Sequence, residues 1–286
     1  MQPIESIEAM RRQVRDWRVA GLTVGFVPTM GNLHGGHLSL VDEAMARSDR
    51  VVVSIFVNPA QFGPGEDYET YPRTRESDLA LLKDRGVHCV FLPSVAAMYP
   101  EGGLLRTRVE VPAFNGMLCD LSRPGFFNGV ALVVTKLFNI VRPDLAVFGL
   151  KDYQQFLVVQ HLVRDLDLPI EIVGAAVARE PDGLAMSSRN VYLGESERAR
   201  APVLYRTLCA LADRLRAGST DLAGLRGEAM DTLSAAAMKP DYVEIRRAGD
   251  LGDPGPGDQD LVVAGAAYLG RARLIDNVRL TRPPID

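Results

Sequence analysis

Residues 23–57 read TVGFVPTMGNLHGGHLSLVDEAMARSDRVVVSIFV and predict a strand, a glycine-rich loop, a helix and a second strand. The first and last runs, TVGFV and VVVSIFV, are short, apolar and rich in β-branched residues. Between them, HLSLVDEAMARS carries apolar residues at helical spacing. Apolar strands connected through a helix are typical of a parallel sheet covered on both faces.

The same alternation continues along the chain. Helical patterns at 74–86 and 129–141 are followed by apolar strand patterns at 87–92 and 146–149. A further helical pattern, YQQFLVVQHLVRDL, precedes the strand pattern IEIVGAAV. We therefore predict an α/β fold built on a doubly wound parallel sheet.

After about residue 190 the pattern changes. Two Ala- and Leu-rich helical patterns at 195–217 and 221–238 are followed by the strand patterns YVEIRRA and LVVAGAAYLGRARLIDN. A Gly-, Pro- and Asp-rich turn, GDLGDPGPGDQD, separates them and is typical of a hairpin connection. We predict a larger domain over residues 1–184 and a smaller α+β domain over residues 185–286.

Composition narrows the possible functions. The 286 residues are 47% hydrophobic and 24% charged, which is typical of globular domains. With 32 Lys and Arg against 36 Asp and Glu, the net charge of −4 disfavours nucleic acid as a partner. No apolar run reaches the length of a membrane span, and the amphipathic N-terminus lacks a signal-peptide core. We therefore expect a cytoplasmic protein with no membrane segment.

The cysteines Cys89, Cys119 and Cys209 are expected to be reduced and structural, since their spacing suits neither disulfides nor a metal site.

The loop after the first strand, PTMGNLHGGH at 28–37, is the first candidate site. In an open parallel sheet, ligands bind beyond the carboxyl ends of the strands. Its glycines permit close backbone approach, and the following helix offers N–H groups suited to a phosphate. His34 and His37 can project to one side of the helix start and stabilise an oxyanion. Taken alone, an HxxH stretch is more typical of a plain turn with two solvent-facing histidines than of a phosphate site. A zinc site is disfavoured, because no Glu lies between the histidines and His88 and His161 belong to unrelated elements.

Three later loops carry compatible side chains. Asn58 and Gln61 in NPAQF offer uncharged donors and acceptors for a small polar ligand. In GLKDYQQ at 149–155, Lys151 is a mobile cation for phosphate, and Asp152 suits a ribose hydroxyl or a metal-bound water, although a charged helix start has the same pattern. AMSSRN at 185–190 supplies two hydroxyls and a guanidinium for a pyrophosphate group. Neither a P-loop nor GxGxxG after the first strand is present, which disfavours kinase and dehydrogenase functions.

Together these motifs resemble the nucleotidyltransferase superfamily, with its HIGH-like and KMSKS-like motifs and Rossmann-like fold. Within it, the chain resembles the pantoate–β-alanine ligase (pantothenate synthetase) family in seven ordered motifs that cover nearly the whole sequence. They are PTMGNLHGGH, VVVSIFVNPAQF, YPRT, KLFNIVRPD, GLKDYQQ, DGLAMSSRN and ARLIDN. The resemblance implies a two-step ligase that forms pantoyl adenylate from ATP and pantoate, then transfers the pantoyl group to β-alanine.

The resemblance also implies a role for individual residues. His37, His34 and Lys151 are the expected catalytic residues, with His37 as the family's proton donor, and Mg²⁺ is expected to accompany ATP. Gln61 and Gln155 are the expected contacts of pantoate, and Gln61 also of β-alanine; Asn58 is assigned to the same ligands from its place in the polar NPAQF loop. The expected ATP-binding residues are Met30, Gly31, Asn32, Leu33, His34, Gly35, Gly36, His37, Gly149, Leu150, Lys151, Asp152, Ala178, Met186, Ser187, Ser188 and Arg189. A homodimer is expected, with the smaller domain acting as a lid.

Three positions depart from the family's pattern. Leu150 stands where the family generally has Glu, Phe126 stands where it favours His, and Cys119-Asp120 replaces Glu-Gly. These departures affect the expected lining of the pocket. Two alternatives to the ligase therefore stay open: a nucleotidyltransferase that acts on a phosphorylated acceptor, and a nucleotide-binding paralogue with reduced turnover.

Overall fold

The computed structural model describes residues 2–100 and 107–284. The chain divides into two compact units, and each is described by itself. The first unit comprises residues up to 115 together with 123–150 and 158–176. The second comprises 116–122, 151–157 and the chain from 177 onward. Each unit is therefore assembled from three separate stretches of sequence rather than from one.

The described residues form the following regular elements. The helices are α1 (Ile7–Val19), α2 (Gly35–Arg47), α3 (Arg75–Asp84), α4 (Val95–Met98), α5 (Cys119–Ser122), α6 (Phe126–Val141), α7 (Tyr153–Asp165), α8 (Glu195–Arg200), α9 (Val203–Arg216) and α10 (Leu222–Ala235). The strands are β1 (Val24–Thr29), β2 (Arg50–Ile55), β3 (Cys89–Phe91), β4 (Leu145–Gly149), β5 (Glu171–Ala175), β6 (Lys239–Arg247), β7 (Asp260–Leu269) and β8 (Ala272–Thr281).

The first unit is built on a five-stranded parallel sheet. Its strand order is β3-β2-β1-β4-β5, and every pairing is parallel. The order reverses between β1 and β4, which makes this the topological switch point of a doubly wound sheet. The predicted fold class is confirmed.

Apolar side chains cover both faces of this sheet. On one face, Val27, Val41 and Val53 belong to a continuous cluster of buried residues that joins the strands to α2. On the other, Phe138 of α6 makes edge-to-face ring contacts with Phe26 and Phe148. Burial on both faces explains why the strands read as unbroken apolar runs rather than as alternating patterns.

The second unit contains the antiparallel sheet β6-β7-β8, against which α9 and α10 pack. The predicted α+β character of this region is confirmed. The predicted helix at 195–217 is interrupted, because α8 ends at Arg200 and α9 begins at Val203. Pro202 lies between them and cannot donate the backbone hydrogen bond that a continuous helix requires. The run at 261–277 folds into a hairpin whose turn contains Gly270 at φ 56°.

Within the described residues, no helix combines the length and the apolar character that crossing a membrane requires.

Candidate active site

The carboxyl ends of β1, β2 and β4 lie at one edge of the parallel sheet. β1 pairs in register with β2 over its whole length, and with β4 near its start. Gly149, the last residue of β4, lies close enough to α2 that an added Cβ would be 3.8 Å from Leu40 Cδ2. The loops predicted to carry the chemistry of this unit therefore leave the sheet at the same edge, beside the N-terminus of α2.

His34 and His37 lie together at that helix start. Their ring centroids are 4.1 Å apart. His34 is the N-cap of α2, and its Nδ1 accepts a hydrogen bond from the Gly36 backbone N–H at 3.1 Å. His37 Nδ1 accepts from the His34 N–H at 3.3 Å. The two imidazoles form a reciprocal capping arrangement in place of the usual Ser and Glu.

These hydrogen bonds determine the tautomer of both rings. A neutral imidazole that accepts at Nδ1 carries its proton on Nε2. Each ring is therefore an N–H donor at Nε2, next to a helix terminus that favours negative charge. Together, His34 and His37 can stabilise an anion, which is the chemistry that their sequence spacing predicts.

Asp78 of α3 holds the preceding loop in place. Its carboxylate accepts from the backbone N–H groups of Asn32 at 2.9 Å and Leu33 at 2.8 Å, and its side chain is almost fully buried. Gly31 and Asn32 both have positive φ, 82° and 50°, so the loop needs this external support. The sequence motifs did not single out Asp78. A carboxylate in the first turn of a helix is ordinarily assigned to the helix dipole, and only the fold brings it to the loop.

Asn58 and Gln61 lie in the next loop, within a short 3₁₀ turn at Pro59–Gln61. Asn58 is buried and uses its whole amide. Its Nδ2 donates to Gln61 Oε1 at 3.0 Å and to the Gly129 carbonyl at 3.1 Å. Its Oδ1 accepts from the Ala60 N–H at 3.2 Å and from the Tyr99 hydroxyl at 2.6 Å. These bonds engage both the donor and the acceptor side of the Asn58 amide, and its predicted contact with a substrate stays a prediction.

Gln61 connects this loop to the first one. Its Nε2 lies 3.0 Å from the sulfur of Met30, so the structure brings together two of the residues that the sequence assigned to different ligands. The 3₁₀ turn approaches α6 closely, since a Cβ added to Gly129 would be 2.1 Å from the Ala60 carbonyl oxygen. Gly129 is therefore required for this approach.

Arg123 supports the same turn. Its guanidinium forms two bonds to the Glu66 carboxylate, at 2.7 and 2.5 Å, and one of 3.3 Å to the Gln61 carbonyl. The ring centroid of Phe126 lies 3.8 Å from Arg123 Cζ, in cation–π geometry. Phe126, one of the departures from the family's pattern, therefore packs on the guanidinium that supports the Gln61 turn.

In the second unit, Lys151 and Asp152 lie in a 3₁₀ turn that leads into α7. Lys151 Nζ is 3.5 Å from the Asp152 carboxylate. Of the two glutamines at the helix start, Gln154 is buried and bonds to the backbone at Met117 and Cys119. The Gln155 side chain is half-buried and forms no hydrogen bond within the part of the chain that the structure describes. The sequence predicts substrate binding by Gln155, and this role stays a prediction.

A tight hairpin presents the last predicted loop. Arg179 pairs with Ala185 in an antiparallel bridge, and the Met186 N–H donates to the Ala178 carbonyl at 2.9 Å. Gly183, at φ 94°, makes the turn. Ser187 then caps a short 3₁₀ helix, Ser188–Tyr192, by accepting from the Arg189 N–H. The hairpin thus places two of the predicted phosphate-binding residues in one helical turn.

Lys151 and this loop share a pocket within the second unit. The residues that line it are Lys151, Leu184, Ala185, Ser187, Asn190, Ala201, Leu204, Tyr205, Leu274, Ile275 and Asp276. Lys151 and Ser187, which are 36 positions apart in the sequence, therefore face the same cavity. The lining thus combines the Lys151 cation, the Ser187 hydroxyl and the Asp276 carboxylate with apolar side chains.

The remaining histidines and cysteines have structural surroundings. His88 Nδ1 accepts from the Val51 N–H at 3.1 Å, and the ring of His161 packs edge-on against Phe114. All three cysteines are free, and burial raises the pKa of the Cys89 thiol to about 11. Over residues 2–100 and 107–284, no three His, Cys, Asp or Glu side chains come together as a metal site.

Comparison with known proteins identifies relatives along the whole chain. The sequence profile described as Pantoate-beta-alanine ligase matches residues 2–279. The pantothenate synthetase of Alkalilimnicola ehrlichii is 56% identical over 280 residues, which is 98% of each chain.

Solved structures of pantothenate synthetases and a pantoate-beta-alanine ligase are similar to this chain over nearly its whole length. Pantothenate synthetase from Thermus thermophilus superposes with a TM-score of 0.87 at 44% identity, over 99% of this chain and 100% of that one. The pantoate-beta-alanine ligase of Francisella tularensis, complexed with beta-gamma ATP and beta-alanine, has a TM-score of 0.80 at 33% identity, over 97% of each chain.

Proposed function

Because the chain belongs to the pantoate–β-alanine ligase family, we propose that it condenses pantoate with β-alanine to form pantothenate, with conversion of ATP to AMP and pyrophosphate. The observation that carries the proposal is the paired His34 and His37 at the N-terminus of α2, together with the Gln61 amide, which lies 3.0 Å from the sulfur of Met30 in the same loop as the histidines. A phosphate-stabilising group next to an uncharged polar group is what an ATP-dependent ligase of a small hydroxy acid requires. The Francisella tularensis relative, whose structure contains beta-gamma ATP and beta-alanine, supports the same substrates here.

The proposed reaction has two steps. In the first, a carboxylate oxygen of pantoate attacks the α-phosphorus of ATP, the bond to the bridging oxygen breaks, and pyrophosphate leaves. In the second, the neutral amine of β-alanine attacks the acyl carbon, loses a proton and expels AMP. The adenylate supplies a good leaving group, so no covalent enzyme nucleophile is needed. Catalysis is then positioning and charge stabilisation.

The proposed ATP-binding residues lie in the segments 30–37, 149–152, 178 and 186–189. His34 and His37 donate from Nε2 to phosphate oxygens during the first step, and Lys151 supplies a cation for the same charge. Ser187, Ser188 and Arg189 bind the departing pyrophosphate. The remaining proposed contacts, mostly through the backbone, are Met30, Gly31, Asn32, Leu33, Gly35, Gly36, Gly149, Leu150, Asp152, Ala178 and Met186.

Gln61 and Gln155 are the proposed contacts of pantoate, and Gln61 also of β-alanine. Asn58 was assigned to the same group from the sequence. Its four hydrogen bonds within the first unit support a different proposal, in which Asn58 holds the Gln61 amide and the 3₁₀ turn in position. This role places Asn58 one residue removed from the substrate.

Mg²⁺ is proposed to come with ATP and to neutralise phosphate charge. Mg²⁺ commonly keeps several waters and binds through substrate phosphates with one or two carboxylates. Asp152 is the acidic side chain among the proposed ATP contacts and is half-exposed beside Lys151. It suits a metal-bound water. The homodimer, the cytoplasmic location and the lid role of residues 185–286 stay predictions.

An assay of AMP release tests the proposal. Purified protein with ATP, Mg²⁺, pantoate and β-alanine is expected to form AMP and pantothenate, and omission of any one substrate is expected to abolish both products. Pyrophosphate formed only with a phosphorylated acceptor, with the AMP group kept on that acceptor and no AMP released, would instead indicate the nucleotidyltransferase alternative. ATP binding without turnover under any of these conditions would indicate the paralogue.

A further inference from the structure

The motif ARLIDN at 272–277 has no role in the proposed chemistry, yet its last two residues contact the segments that do. The Asn277 side-chain amide donates to the Lys151 carbonyl at 3.0 Å. Asp276 accepts two bonds from the Arg179 guanidinium, at 2.6 and 2.9 Å. All of these residues belong to the second unit.

Both side chains are buried, and the Asp276 carboxylate is bonded to the backbone of Asn277. Asp276 is 5% exposed and Asn277 is 7% exposed. The Asn277 backbone N–H donates to Asp276 Oδ1 at 2.8 Å. The Asp276 carboxylate therefore fixes the backbone from which the Asn277 side chain extends, in surroundings where side chains have little freedom to adjust.

The Arg179 side of the network reaches the hairpin that leads into Ser187. The guanidinium also donates to the Gly183 carbonyl at 3.1 Å, and its Cζ lies 3.5 Å from the ring centroid of Tyr205. Arg179 is thus fixed by a carboxylate, a carbonyl at the hairpin turn and an aromatic face.

We propose that Asp276 and Asn277 are positioning residues for ATP, which hold Lys151 and the loop at 187–189 in one arrangement around their shared pocket. Asn277 fixes the backbone of Lys151, and Asp276 fixes the hairpin through Arg179. The inference rests on the proposed function, which assigns both segments to ATP phosphates. Phosphate-binding groups must be held to within a fraction of an ångström, so rigid support is the contribution that these buried residues make.

Asn277→Ala removes the bond to Lys151 and is the first test. We expect the KM for ATP to rise about fivefold or more, the factor that corresponds to one net hydrogen bond, while the KM values for pantoate and β-alanine stay unchanged. Asn277→Asp keeps the shape but replaces the donor with an oxygen, and should raise the KM for ATP at least as much. A purely steric role would leave Asn277→Asp close to wild type and would overturn the proposal.

Asn139→Ala is the matched control. The Asn139 amide also donates to a backbone carbonyl, that of Thr135 at 2.9 Å, but on the exposed face of α6 in the first unit. We expect no change in any KM value. If Asn277→Ala matched this control in KM and differed only in melting temperature, Asn277 would be a stability residue and the inference would be wrong.

A double-mutant cycle tests whether Asn277 affects ATP binding through Lys151. In a Lys151→Ala background, Asn277→Ala should raise the KM for ATP by less than about twofold, because the residue that it positions has lost its ammonium group. Fully additive effects would overturn the inference.

Direct ATP binding, measured by equilibrium dialysis with labelled ATP and Mg²⁺, separates this inference from the proposed function. Wild-type protein that binds ATP but releases no AMP would contradict the ligase proposal, while the binding data on Asn277→Ala and Asn139→Ala still decide the positioning role. Wild-type protein that binds no ATP would overturn both.

Discussion

The imidazole rings of His34 and His37 lie with their centroids 4.1 Å apart, and each accepts a backbone hydrogen bond at Nδ1 from the first turn of α2 or its N-cap. One arrangement therefore serves two purposes. It satisfies backbone N–H groups at the helix start, and it leaves the proton of each neutral ring on Nε2, where a donor to phosphate is needed.

His37→Ala is expected to lower adenylate formation by about 10²-fold or more, the scale of losing an oxyanion donor. The fold should persist, because the lost cap interaction is worth only about 1 kcal/mol. Pyrophosphate–ATP exchange in the presence of pantoate measures the step directly, and chemical unfolding checks the fold. Exchange at the wild-type rate would remove His37 from the catalytic residues.

Asp78→Asn is expected to lower the free energy of unfolding by about 2–4 kcal/mol. The backbone N–H groups of Asn32 and Leu33 would lose their charged acceptor, and one of them would face the NH₂ group of the new amide. The KM for ATP should also rise, because the loop at 30–33 loses its support. Asp42→Asn is the matched control. Asp42 forms an exposed ion pair with Arg85, so its loss should change stability little. Equal effects of the two substitutions in urea unfolding would contradict the role of Asp78.

Gly129→Ala is expected to weaken substrate binding and to destabilise the first unit, because the new Cβ would overlap the Ala60 carbonyl and displace the turn that carries Gln61. Gly227→Ala in α10 is the control. No atom lies within 4 Å of a Cβ there, so alanine should be neutral or stabilise the helix by up to about 1 kcal/mol. The measurements are thermal unfolding and the KM for pantoate. A tolerated Gly129→Ala would show that the turn can move without loss of function.

Leu150→Glu restores the residue that the family generally has beside its phosphate-binding lysine. A carboxylate at this half-buried position can hold the Lys151 ammonium group, so kcat/KM for ATP is expected to rise by about threefold or more. The free energy of unfolding should change by less than about 1 kcal/mol. Leu150→Gln controls for size and polarity without charge. A large shift in melting temperature with unchanged kinetics would show that Leu150 is a packing residue instead.

Stability is expected to fall as the pH drops below about 6.5, the usual pKa of histidine, partly because of His88. Desolvation of the ring and the charge of Arg50 lower the pKa of His88 in the folded protein. The unfolded chain therefore binds the proton more readily than the folded protein. The stability that neutral His88 contributes is complete above the pKa of His88 in the unfolded chain, and it is lost as the pH falls through the lower pKa of His88 in the folded protein. Protonation also removes the acceptor for the Val51 N–H. His88→Gln should make urea unfolding less pH-dependent between about pH 7 and pH 5. An unchanged dependence would exclude His88 as the cause.

Much of the site could be predicted from local sequence because its residues follow strands. The glycines and histidines of PTMGNLHGGH lie within ten consecutive positions, so strand, loop and helix periodicity suffice to place them at the edge of the sheet. Asp78 and Arg179 lie outside the quoted motifs, and the motif ARLIDN, which contains Asp276, does not show which residue Asp276 contacts. Each contacts a segment more than 40 positions away, so only folding reveals their partners.

The sequence by itself determined the alternating strands and helices, the loops that carry the candidate chemistry and the family to which the chain belongs, because periodicity and motif order are local properties. Only the tertiary structure decided how those loops are held. It bonded the Asn58 amide to Gln61, stacked Phe126 on Arg123 and bonded the Asn277 amide to the Lys151 carbonyl. The physical reason is that a buried amide or carboxylate must find hydrogen-bond partners, and the partners that it finds depend on which distant segments the fold brings beside it.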